Sequence, residues 1–143
     1  MDIKSVIAVL GGMVLMYFLA EILEPPLVAW LASQRPASMD EYLIVRNTQQ
    51  VLFGRLILTA VTGVLVGYVV AKIAGQHELA HAAAAAALQS LMLLRAFAAD
   101  PPAAAVPFAT RTAFVVVTAA AMLAGAAIRA RAARLTAPTE VRS

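Results

Sequence analysis

Cysteine is absent from the 143-residue chain. That removes disulfides, thiolate metal sites and a cysteine nucleophile. Charge is scarce: Asp, Glu, Lys and Arg make up 13% of the residues, against about 25% in a soluble domain. No Walker motif, no glycine-rich phosphate loop after a strand and no serine–histidine arrangement with a carboxylate is present, so nucleotide, dinucleotide and acyl-transfer chemistry have no foothold. What fills the chain is apolar, with 62% hydrophobic residues and a mean hydropathy of +0.84. Such an excess marks an integral membrane protein and excludes a disordered one. Four spanning helices of about 20 residues each would occupy most of these residues, leaving little for a soluble catalytic domain. The formal charge of +3 points to no nucleic acid, because the basic residues sit at the ends of apolar runs.

Four apolar runs follow in order, about 5–23, 51–73, 79–98 and 106–128, read as spans of a single membrane domain over 1–143. The first resembles a secretory signal only superficially, since Glu21, Glu24, Pro25 and Pro26 follow it instead of an A-x-A cleavage pattern. Pro25-Pro26 is expected to stop that helix, because proline lacks the backbone donor and clashes with the preceding turn. Residues 27–32, with the single tryptophan Trp30, are expected to lie at the headgroup level. Ser38-Met39-Asp40-Glu41 has the form of a capping box and starts a helix that should run on into the second span. Gly75 is its expected stop. The alanine-rich third span, Ala82 to Ala87 unbroken, should pair with the second as a hairpin, and Asp100-Pro101-Pro102 ends it. After the fourth span come Arg129, Arg131 and Arg134 in a tail over 129–143, expected at anionic lipid headgroups.

Basic residues near the helix ends set orientation. Lys4, Lys72, Arg129, Arg131, Arg134 and Arg142 fall on one side, and Arg35, Arg46, Arg55, Arg95 and Arg111 on the other. The clustered arginines tip the balance, so both termini are expected in the cytoplasm. The alanine load and the preference for arginine over lysine read as the coding bias of a GC-rich bacterium, which suggests an inner membrane.

Three features bear on chemistry. Thr59, Gly63, Gly67, Ala71 and Gly75 recur at intervals of four along the second span. Without a hydrophobic drive between helices in lipid, such a small-residue stripe packs by close backbone approach. Its expected partner is the alanine face of the third span; a homo-oligomer seam is the other reading. Glu21, Arg46 and Arg55 lie toward one face of the membrane and are expected to pair there, either at the interface or lining a transport path. No charge occupies the middle of any span, where a proton-coupled pump usually needs one. Finally, His77-Glu78-Leu79-Ala80-His81 is a literal H-E-x-x-H and holds both histidines. On a helix the two imidazoles could bind one zinc while Glu78 activates its water. A third ligand is then required, and on that side only Asp2 and Glu140 offer one. The bland alternative is a polar turn at the membrane edge, with Glu78 complementing the helix dipole.

The stretch Gly67-Tyr68-Val69-Val70-Ala71-Lys72-Ile73-Ala74-Gly75, continued by His81-Ala82, resembles small bacterial four-helix membrane proteins of unknown function. These share a glycine-rich second helix, an A-basic-x-A-G turn and a histidine-alanine start to the third helix. The resemblance implies a fold and a location but no activity, and it makes His81 a recurrent turn residue. The expectation is therefore an all-α integral membrane four-helix bundle with a short interfacial segment between helices one and two. Its expected role is non-enzymatic, as a structural or accessory subunit with the bilayer and a membrane-protein partner or second copy as contacts. A zinc metalloprotease through His77, Glu78 and His81, and a small transporter using Glu21, Arg46 and Arg55, are the alternatives.

Overall fold

The computed structural model describes residues 3–33, 36–99 and 105–136. Among these the chain is all helical: α1 (Ile3–Leu31), α2 (Met39–Arg46), α3 (Gln49–Ala74), α4 (Glu78–Ala99) and α5 (Phe108–Thr136). Four of them, α1, α3, α4 and α5, are long and apolar enough to cross a membrane, and no more than a third of each apolar window is buried inside the protein. Long helices that leave most of their apolar surface outward suit a lipid solvent, so this is a multi-pass membrane protein. In ring order the spans run α1, α3, α5, α4, and α3 touches every other helix.

The tightest crossing is between α3 and α5. A Cβ at Gly67 would fall on the Met122 carbonyl, and one at Gly125 would fall on the Val64 carbonyl. At Gly63 a Cβ would come within 2.8 Å of the Ala121 Cβ. Backbone thus meets backbone, as small-residue stripes permit in lipid. This corrects the expected hairpin at Gly63 and Gly67, which receive the fourth span and not the third, while Ala71 packs in a core that includes the α4 alanines. Two of the stripe's five members do something else. Thr59 lies outside this crossing, and Gly75 caps α3 in the left-handed region (φ 67°), its N–H donating to the Ala71 carbonyl. The alanine face of α4 is buried in a common core with α1, α3 and α5, where Ala82, Ala85 and Ala86 meet Ala8, Val9, Ala71 and Met122.

Three boundaries also differ from expectation. Pro25 and Pro26 do not stop α1, which runs on to Leu31. Each proline leaves the carbonyl four residues back without its helical donor, but packing beyond holds the helix: Val28 is fully buried, and Leu31 seats in the notch where Gly54 has no side chain. Trp30 is exposed on this continuation, not on a separate segment. The short separate piece between the first two spans is instead α2, started by Ser38, whose Oγ accepts from the Glu41 N–H at 3.2 Å while the Glu41 carboxylate accepts from the Ala37 N–H at 2.7 Å. That helix ends at Asn47 and does not continue into the second span. Thr48 begins α3 as a new helix, accepting from the Leu52 N–H at 2.8 Å. Lastly, α5 continues through Arg129, Arg131 and Arg134. Its 29 residues measure about 44 Å, longer than a hydrocarbon core of about 30 Å. Asp100-Pro101-Pro102 and the tail beyond 136 lie outside the described residues.

Gly67→Ala and Gly125→Ala should each destabilise the fold by about 1–3 kcal/mol, the cost of overpacking a filled site. Gly11→Ala, where a Cβ meets nothing within 4 Å, should be neutral. Thermal unfolding in detergent checks this, and equal melting of Gly67→Ala and wild type would refute the crossing.

Candidate functional site

The break at Asn47–Thr48 folds α2 back over the end of α1, and this brings the charged residues together. Glu24 on α1 stands between Arg46, which donates from Nε to Glu24 Oε1, and Arg55 on α3, whose Nε lies 3.1 Å from Glu24 Oε2. Tyr42 on α2 donates its hydroxyl to Glu24 Oε1 at 3.4 Å. Its phenol is held above the usual tyrosine range, first by burial and then by the neighbouring carboxylate. Arg55 is the deepest member, 5% exposed, against 16% and 22% for the Glu24 and Arg46 side chains. It donates from a terminal nitrogen to Asn47 Oδ1 at 3.2 Å. The Arg55 guanidinium also lies 5.3 Å from the centre of the Phe114 ring, a cation–π distance. Phe114 packs on Phe97 at 5.6 Å between centres, and the Arg111 guanidinium lies 6.0 Å from the centre of the Phe97 ring while its Nε donates to the Val106 carbonyl.

Of the expected polar group, Arg46 and Arg55 are brought together and Glu21 is not. Glu21 is exposed, and Glu24, three residues on, takes the place beside the arginines. The reason is helical register, which turns Glu24 and not Glu21 toward α2 and α3. Met13, Tyr17, Ala20 and Glu24 then form one stripe at helical spacing. The stripe ends just before the prolines and was readable at helical spacing, but nothing local marked Glu24 over Glu21 as the partner of the arginines. Tyr42, Phe114 and Gln89 carried no signal of their own, since each gains its place from a different element.

The stripe forms one wall of a groove of about 560 Å³ between α1 and α4. Met92, Leu93 and Ala96 of α4 form the other wall, and Phe114 the floor. Glu24, Arg46 and Arg55 stand at one end, with Thr59 and Gln89 farther along. Exposed Val14, Tyr17, Phe18 and Met92 border it, so it opens sideways, toward lipid. At the opposite end of the bundle α1 and α4 close together on alanine, where His81 reaches Ser5 at 2.7 Å from Nε2. The two helices run parallel, joined at one end and parted at the other.

His77 does not share a helix face with His81. It precedes α4 with a left-handed backbone (φ 49°), and its carbonyl accepts from the N–H groups of Ala80 and His81. Both ring nitrogens of His81 are engaged, Nδ1 donating to the His77 carbonyl at 3.0 Å and Nε2 on the Ser5 hydroxyl. Glu78 opens α4 in its first turn, where a carboxylate complements the dipole. Among the described residues no three His, Asp or Glu side chains gather so as to hold a metal ion. Asp2 and Glu140 lie outside the described residues. Arg129 is half-buried, and Arg131 and Arg134 are exposed at this same end.

No family model, no curated protein and no solved structure matches this chain.

Two outcomes are expected. Glu24→Ala strands two guanidinium groups and should cost about 3–5 kcal/mol, whereas Glu21→Ala should change stability by less than about 0.5 kcal/mol; melting in detergent separates them. His81→Ala should cost about 1 kcal/mol through the lost bridge to Ser5, and added zinc should leave the wild-type melting temperature unmoved. A zinc-dependent rise abolished by His81→Ala would restore the metal reading.

Proposed function

We propose that this chain is a small non-enzymatic membrane protein that binds an amphiphilic molecule taken sideways from the bilayer. The observation that carries this is the groove between α1 and α4, mostly apolar along its length, with Thr59 and Gln89 the polar side chains beyond its charged end. A lipid-facing slot ending in ion pairs matches a molecule with a hydrocarbon chain and a polar head. Its volume also falls within the range of small-molecule sites. Ionisable groups inside a membrane domain usually serve such a site, because their desolvation is costly. This reading gives the accessory role anticipated from composition a definite task. It also keeps the binding half of the transporter alternative, with Glu24 in place of Glu21.

The same proposal assigns the chain to a bacterial inner membrane. Lys4, Lys72, Arg129, Arg131 and Arg134 lie at the end of the bundle taken as cytoplasmic. The charged end of the groove then belongs to the outer leaflet.

Photolabelling in nanodiscs with a diazirine-bearing long-chain alcohol should place crosslinks on groove residues of α1 and α4. Ala96→Trp, which fills the groove from an exposed position, should reduce that labelling about tenfold. Labelling spread equally over Leu10, Ile57 and Val116, all exposed elsewhere, and indifferent to Ala96→Trp would reject the proposal.

A further inference from the structure

The charge at the end of the groove does not balance. One carboxylate, Glu24, stands between two guanidinium groups, Arg46 and Arg55, leaving one positive charge in excess. The hydrogen-bond arithmetic agrees. Two guanidinium groups carry ten N–H donors, while a carboxylate has about four acceptor positions. Three of those already face Arg46, Arg55 and Tyr42. Asn47 takes one further donor of Arg55. Arg55 itself is 5% exposed, and its Nε, although 3.1 Å from Glu24 Oε2, finds no aligned hydrogen-bond acceptor. A buried cation beside a groove, incompletely satisfied and part of a net positive cluster, is a built-in demand for an anion.

The groove defines the rest of that anion. From Met13 to Glu24 its α1 wall rises about 16 Å, close to the thickness of one leaflet of hydrocarbon, about 15 Å. A chain lying in it with its head at Glu24 reaches the same depth as a lipid tail in the surrounding leaflet. A carboxylate is already the group these arginines grip, since Glu24 supplies one. We infer that the groove binds a single-chain amphiphile whose monoanionic carboxylate head docks on Arg46 and Arg55, beside Glu24. This inference rests on the groove being a ligand site, as proposed above. In it Glu24 is an internal competitor as well as a structural partner: it holds the arginines in place and limits how strongly they attract the head.

The test is competition against the diazirine alcohol in nanodiscs of zwitterionic lipid, using three competitors with the same alkyl chain: a carboxylate, an alcohol and a trimethylammonium. The carboxylate should compete at least about tenfold better than either of the others, the ratio expected for charge-assisted hydrogen bonds. Arg46→Gln, on the half-buried member of the pair, should erase most of that preference, weakening the carboxylate's competition far more than the alcohol's. Glu24→Gln should melt lower than wild type, and the carboxylate amphiphile should raise its melting temperature by more than it raises that of wild type. A purely structural Glu24 gives no such rescue. Should Glu24→Gln fail to fold, the competitor ranking on wild type and Arg46→Gln decides alone.

Equal competition by carboxylate and alcohol overturns the anionic head while leaving the groove a ligand site. Failure of all three competitors overturns the groove reading and this inference with it. A lysophosphatidylglycerol of equal chain length that outcompetes the carboxylate overturns the choice of head group.

Discussion

The bundle is organised around the place where α3 and α5 touch backbone to backbone. Gly67 against the Met122 carbonyl and Gly125 against the Val64 carbonyl allow an approach that any side chain would block. In lipid there is no gain from hiding apolar surface between helices, so close packing of small residues must supply the contact. Once α3 and α5 are joined, α1 and α4 lie along the same pair. They meet each other on alanine near Ser5 and His81 and part toward Glu24.

The parting of α1 and α4 has a consequence for charge. Arg55 sits in the second turn of α3 and is only 5% exposed, and a lone guanidinium there would be severely destabilising. Its neighbours come from three directions: Glu24 from α1, Asn47 from the end of α2, and Phe114 from α5. The aromatic pair Phe97–Phe114 then carries the contact across to α4 and Arg111. A single buried cation thereby couples every helix of the bundle at this end, and the same cluster terminates the groove. Stability and the ligand recognition proposed above therefore draw on one set of residues. The H-E-x-x-H motif, the sharpest signal in the sequence, straddles the turn into α4. Its two imidazoles are separated by the start of α4, and His81 fastens the closed end of the α1–α4 pair.

The fold class was legible in the sequence because hydropathy acts residue by residue along the chain. Four apolar runs, a stripe of small residues, the Ser38 cap and the Gly75 stop each depend only on near neighbours, and each kind of signal has a local physical cause. The partner of the stripe was not legible. Alanines on α4 and the small residues of α5 offer similar surfaces, and which of them reaches Gly67 depends on how the loops and the other spans dispose the helices. The fate of Pro25-Pro26 was likewise undecided locally. A missing donor argues for a stop, and only the packing of Val28 and Leu31 against α3 argues for continuation.

The choice of Glu24 over Glu21 shows where that boundary falls. Both carboxylates stand near the same helix end in the same kind of sequence, and nothing within four residues distinguishes them as partners for an arginine. The sequence alone determined a helical membrane protein with its charges toward the two ends of its spans. The tertiary structure decided which acid faces Arg46 and Arg55, that α1 and α4 part to leave a groove, and that the charges line it. A helix sets its own periodicity from local hydrogen bonds, but the face it turns inward is settled by every other helix it must pack against.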